Sequence, residues 1–164
     1  MGPVVLAVSG DAATLMGMAD ESTQSIVVDA PPDQIMAVIA DLESYPEWAK
    51  AVRSTEILER DANGQAHRVT FTLDAGPVKD VYTLEYDWAP DGLSVSWHLV
   101  KGQMQKAQRG RYELTPLDDG QTEVTYTLSV ELALPMIGQL RRKAEKMIMD
   151  IALKELKRRA ESGL

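Results

Sequence analysis

Residues 122–132 read TEVTYTLSVEL, with Val124, Tyr126, Leu128, Val130 and Leu132 on one parity and Glu123, Thr125, Thr127, Ser129 and Glu131 on the other. Successive strand side chains point to opposite faces, so this segment has one apolar and one wet face. An antiparallel sheet covered on one side requires that pattern. Directly after it, Pro135 marks a change of period. Ile137, Leu140, Ala144, Met147, Ile148, Ile151 and Ala152 recur at helical spacing through about residue 160. The expectation is a C-terminal helix roughly 37 Å long, enough to cross the sheet, with that stripe laid against it.

The period of two extends upstream to Val52. His67, Val69, Phe71 and Leu73 share a parity, as do Tyr82, Leu84, Tyr86 and Trp88, and Leu93, Val95, Trp97 and Leu99. Asn63-Gly64, Asp91-Gly92 and Asp118-Asp119-Gly120 separate the runs as hairpin turns. Before them, Ser22–Val28 reads as a strand, and Pro31-Pro32 suits a first helical turn capped by Asp29 or Ala30. Ile35, Met36, Val38 and Ile39 make a short amphipathic helix, and Tyr45-Pro46-Glu47-Trp48 a second short one. Strands grouped together with helices on one face define an α+β domain. Its sheet, of about six to seven strands, should curl around the C-terminal helix and leave an apolar pocket between them.

The bulk composition narrows the function. The 164 residues contain no cysteine, which removes disulfides, thiolate catalysis and Cys-based metal sites, and fits a reducing, cytoplasmic setting. A net charge of −8 argues against a nucleic-acid partner. The charge is uneven: from Arg141 to Leu164 eight Lys/Arg face four Asp/Glu, a local +4 that leaves −12 for residues 1–140. The basic segment reads either as a solvated helix face or as a surface for transient contact with an anionic membrane. Residues 1–18 lack the cationic start of a secretory signal and read as an N-terminal extension, leaving 19–164 as the domain. Oligomeric state is not legible.

Chemistry in such a pocket needs polar groups on the apolar parity. His67 falls on it and His98 does not, so the two histidines should lie on opposite faces and make no metal site. With Tyr112 and Leu114 inward, regular pairing also turns Lys106 and Gln108 inward, where either could orient a carbonyl or carboxylate. A bulge near Gly110 would turn Ala107 and Arg109 inward instead. The expected lining is Phe71, Tyr82, Trp97, Lys106, Gln108, Tyr112 and Tyr126 from the sheet, with Met147 and Ile151 from the helix. There is no legible catalytic triad, phosphate loop or HExxH, and no metal or organic cofactor is implied.

The segments IVVDAPPDQI at 26–35, YPEW at 45–48, GRYEL at 110–114, the strand 122–132 and LPMI at 134–137 occur in an order that resembles the polyketide cyclase/dehydrase and coenzyme-Q-binding branch of the START-like superfamily. The last of these looks like its small actinobacterial, chiefly mycobacterial, members. The resemblance covers about 19–161. It implies the helix-grip (START/Bet v 1-like) fold and binding of a small hydrophobic molecule such as a lipid, quinone or polyketide. It also leaves open an aromatase/cyclase or dehydratase activity, or a role as a protein-interaction module, because a fold does not dictate its chemistry.

Overall fold

The computed structural model describes residues 21–76, 79–133 and 138–163, with the backbone alone at 138–141. The N-terminal extension, together with Ile137 and Leu140 of the expected helical stripe, therefore lies outside the described residues or side chains. Seven strands form one antiparallel sheet: β1 Ser22–Val28, β2 Val52–Arg60, β3 Ala66–Asp74, β4 Lys79–Trp88, β5 Ser94–Gly102, β6 Gln105–Pro116 and β7 Thr122–Leu132. Strands β2 to β7 follow one another as a meander, and β1 closes on β7 to give the order β1-β7-β6-β5-β4-β3-β2. Gly64 (φ 81°) and Gly92 (φ 73°) turn two of the hairpins in the left-handed region that Asn-Gly and Asp-Gly pairs favour.

Between β1 and β2 the chain crosses over through α1 (Pro32–Ala40), a 3-10 turn at Leu42–Ser44 and α2 (Tyr45–Trp48). Pro31, not Asp29 or Ala30, stands at the cap of α1, and Pro32 occupies the first turn, where its missing N–H has no partner to lose. Ile35, Met36, Val38 and Ile39 are buried under α1, as their spacing predicts. The seven-strand curved sheet with the 24-residue α3 (Gly138–Glu161) is the helix-grip α+β architecture.

Helix α3 packs on β1, β7, α1 and α2. Its rotational phase differs from the expected one. The buried positions among the described side chains are Glu145, Met149, Leu153, Glu155, Leu156 and Ala160. Glu145 fixes this phase. Strand β1 pairs with β7 only as far as Leu128, and on that side the Val130 N–H meets no strand partner among the described residues; it donates to Glu145 Oε2 at 2.9 Å, and Ser22 Oγ donates to Oε1 at 3.1 Å. A buried N–H left without an acceptor would cost about 1–3 kcal/mol, as much as burying a whole aliphatic side chain gains. The phase that supplies the acceptor therefore competes with the more apolar one. Further along, Lys157 Nζ donates to the Val27 carbonyl at 3.0 Å, Gln34 Nε2 donates to the Ala160 carbonyl at 2.6 Å, and Arg159 pairs with Glu47 at 3.0 Å.

Candidate functional site

Five strands carry an aromatic ladder across the concave face. Phe71 on β3 lies opposite Tyr82 on β4, Tyr86 on β4 opposite Trp97 on β5, and Tyr112 on β6 opposite Tyr126 on β7. Side chains directly opposite one another in an antiparallel pair touch, and these do. Phe71 and Tyr82 stack at 5.3 Å, Tyr86 and Trp97 meet at 5.8 Å, and Tyr112 and Tyr126 at 4.6 Å. Trp97 also reaches Tyr112 at 5.4 Å, joining the central strands. Tyr45 of α2 approaches Phe71 at 6.2 Å from the helical side. Thus Phe71, Tyr82, Trp97, Tyr112 and Tyr126 come together as their parity predicts, and Tyr86 and Tyr45 join them. Tyr86 shares the parity of Tyr82 and is legible in the sequence. Tyr45 is not, because its place depends on how α2 folds back.

Burial pushes all five tyrosine hydroxyls above their ordinary pKa of 10.0, and for all but Tyr126 the neighbouring phenols push further in the same direction. They are neutral donors at physiological pH. Tyr45 donates to the Ile39 carbonyl at 2.6 Å. The hydroxyls of Tyr82, Tyr86, Tyr112 and Tyr126 form no hydrogen bond with a described residue. Tyr86 and Tyr126 are buried and Tyr82 and Tyr112 half-buried. Most buried polar atoms in proteins are paired, so the hydroxyls of Tyr86 and Tyr126 in particular are open to an acceptor from outside the chain. A carboxylate sits close by: Glu155 of α3 is buried, accepts the Lys50 N–H at 3.2 Å, and contributes to raising the pKa of Tyr112.

Toward the β5–β6 turn this face continues into a chain of amides. Trp97 Nε1 donates to Gln108 Oε1 at 2.9 Å, Gln108 Nε2 donates to Gln105 Oε1 at 2.6 Å, and Gln105 Nε2 donates to Asp80 Oδ2 at 3.0 Å. Asp80, itself buried, accepts the Gln103 and Met104 N–H groups and so closes the β5–β6 turn. Gln108 therefore points inward as expected, but its oxygen is engaged in holding the Trp97 indole. Replacing Gln108 with Leu should lower stability by about 1–3 kcal/mol in a urea titration, since the indole N–H and the Gln105 oxygen both lose a partner.

Three expectations are corrected. Lys106 faces outward, 60% exposed and 3.6 Å from Glu131, because the β6–β7 register slips between Gln105 and Ala107. One extra residue there reverses the parity upstream of Gln108 and leaves it regular through Gly110, so Arg109 is exposed as well. Lys106→Ala should accordingly leave stability and ligand affinity within experimental error. Met147 and Ile151 are 59% and 49% exposed and do not line the concave face. Each lies two residues from a buried position of α3, about 200° around the helix. The histidines are not on opposite faces. Irregular pairing of β2 with Ala66–Arg68 displaces His67, and both imidazoles lie 3.8 Å from the carboxylate of Glu85, which Arg68 also holds at 3.0 Å. Among the described residues no group of three side chains is arranged to hold a metal ion.

A second concavity, a solvent-open groove of about 510 Å³, runs between α1 and the β2–β3 and β4–β5 turns past Met36, Ala37 and Leu93. It contains none of the tyrosines.

The fold has many solved relatives. A START superfamily protein from Mycobacterium smegmatis superposes with a TM-score of 0.82 at 22% identity, over 88% of this chain and 99% of that one. The ZhuI aromatase/cyclase from a Streptomyces species gives 0.72 at 17% identity over 86% and 93%. A protein from Thermus thermophilus gives 0.73 at 25% identity over 87% and 98%. Among proteins of curated function, none matches the sequence. The family model for polyketide cyclase/dehydrase and lipid transport matches residues 19–161. On that match over most of its length, and on the helix-grip fold, the chain belongs to the polyketide cyclase/dehydrase and lipid transport family.

Proposed function

We propose that the protein binds a small hydrophobic molecule carrying carbonyl or hydroxyl oxygens between the concave face and α3, as a carrier or sensor. The supporting observation is the set of four tyrosine hydroxyls without a protein partner, set on an aromatic floor. Aromatic faces favour a flat or unsaturated apolar body, and neutral phenols favour oxygen acceptors over a charged headgroup. An unpaired buried hydroxyl costs roughly 1–3 kcal/mol, which a ligand oxygen would relieve.

Two measurements bear on this reading. Organic extraction of protein purified under native conditions, followed by mass spectrometry, should recover an oxygenated apolar compound. In addition, Tyr112→Phe and Tyr126→Phe should each weaken binding of a hydroxyanthraquinone probe by roughly five- to tenfold while leaving the melting temperature unchanged or raised. Loss of stability without loss of affinity would mark the hydroxyls as structural and count against the proposal.

A second reading, an aromatase/cyclase or dehydratase activity like that named for the Streptomyces neighbour, is favoured by Glu155. A buried carboxylate close to Tyr112 could take a proton from a bound polyketide carbon while a phenol donates to its carbonyl. Under that reading Glu155→Gln abolishes turnover and retains binding, whereas a carrier is indifferent to the charge.

A further inference from the structure

Four residues of the apolar stripe of α3 that was expected to cover the sheet, Ala144, Met147, Ile148 and Ile151, face solvent. Met147 is 59% exposed, Ile148 46% and Ile151 49%. Lys143, Met147, Ile151, Lys154 and Arg158 follow one another at spacings of three and four residues, so they form one ridge along the outside of the helix. Arg142 and Lys146 are exposed beside it. Two of the acidic residues of the same stretch are withdrawn from this surface, Glu145 and Glu155 being buried and bonded inward, whereas Asp150 stays exposed on the ridge and is paired there with Lys154 at 3.0 Å. Arg142, Lys143, Lys146 and Arg158 have no ion pair with any described residue. A chain whose first 140 residues carry −12 thus presents one cationic ridge with aliphatic side chains set into it.

We infer that this ridge docks on the surface of an anionic lipid bilayer, with Met147, Ile148 and Ile151 entering the interface and the lysines and arginines on the phosphates. The combination selects the partner. Phosphates of a nucleic acid would use the cations and leave the aliphatic side chains in water, whereas a bilayer interface accommodates both. The insertion is shallow, since no described helix is long and apolar enough to cross a membrane. Long cationic side chains flanking the aliphatic ones reach up to the headgroups, the arrangement that amphipathic interfacial helices share. Ile148 lies two turns before Glu155 on one line of the helix, and Glu155 accepts the Lys50 N–H in the turn between α2 and β2. The docking itself does not depend on what the concave face binds.

Flotation with phosphatidylcholine vesicles, with and without phosphatidylserine, tests it without any ligand. The protein should float with the anionic vesicles at about 0.1 M salt, stay at the bottom with the neutral ones, and be released at about 0.5 M. Each cation near an anionic surface contributes about fivefold, so Lys143→Glu with Arg158→Glu should reduce partitioning by well over tenfold. Met147→Ser with Ile151→Ser should reduce it by about tenfold. All these positions are exposed, so the melting temperatures should match that of the parent protein, which keeps loss of docking distinct from loss of fold. Failure to float, equal flotation on both vesicle types, or variants that float like the parent would overturn the inference. So would a dimer in analytical ultracentrifugation that Ile151→Ser dissociates, because the ridge would then be covered by a second copy of the chain.

Discussion

Raising the pH through 10 should produce no tyrosinate absorbance until the protein unfolds, and then the signal of all five tyrosines in one step. The chain has five tyrosines in total, and every one has its hydroxyl pKa raised, first by burial and, for all but Tyr126, then by its neighbours. Below pH 10 the phenols are protonated in both the folded and the unfolded chain, and their contribution to stability is fully present. Above it the unfolded chain releases protons that the folded one retains, so stability falls as pH rises toward the folded values. With five groups the slope approaches about 7 kcal/mol per pH unit. A domain of ordinary stability, about 5–15 kcal/mol, is then lost within roughly one to two units. Near-ultraviolet absorbance and circular dichroism followed together should show coincident transitions. A tyrosinate signal that develops around pH 10 with the fold intact would place hydroxyls in water and remove the desolvated cluster.

Substituting Gly110 should be the most damaging single change on the sheet. Gly110 lies opposite Trp97 in the β5–β6 ladder, and the indole lies across it: a Cβ at position 110 would sit 2.1 Å from Trp97 Cζ2 and 2.2 Å from Cε2. The ring has nowhere to go. It is 7% exposed, bonded to Gln108, and in contact with Tyr86, Tyr112 and Tyr126. Gly110→Ala must therefore expel the indole or separate the strands, at about 3–5 kcal/mol, in the range seen when a large aromatic is lost from a core. At roughly 3 °C per kcal/mol for a domain of this size, the melting temperature should fall by about 10 °C or more. Combining Gly110→Ala with Trp97→Leu should be less destabilising than the sum of the two, because the smaller side chain removes the clash. Additive losses in that double-mutant cycle would mean that the close approach does not constrain the site.

Strand β7 is the element whose sequence describes its structure best. Val124, Tyr126 and Leu128 are buried in one line, and their regular pairing with β6 carries the inward parity through Gly110, Tyr112 and Leu114. Period-two reasoning fails where the ladder itself is irregular. One slipped residue at Gln105–Ala107 puts Lys106 outside, and the disturbed β2–β3 register puts His67 beside Glu85. Neither slip has a local signature, because a bulge arises from two strands and is not written in one. The phase of α3 fails for a different reason. Hydrophobic periodicity picks the more apolar stripe, here Ala144, Met147, Ile148 and Ile151, whereas the helix turns the stripe containing Glu145 inward to satisfy the Val130 N–H. A buried glutamate reads as a surface residue until its partner strand is known. The same property hides Asp80 and Glu155, whose positions follow from a turn and from α2.

Carbon-13 labelling of the tyrosine rings allows each of the five to be followed by NMR while three probes are added in turn: a hydroxyanthraquinone, a short-chain benzoquinone and a fatty acid. Saturable shifts of Tyr82, Tyr86, Tyr112 and Tyr126 with at least one probe, larger than that of Tyr45, are the predicted result, since Tyr45 already donates to Ile39. If all five signals stay in place with every probe, or if only residues of the groove beside Met36 and Leu93 respond, then the concave face does not receive a small hydrophobic molecule.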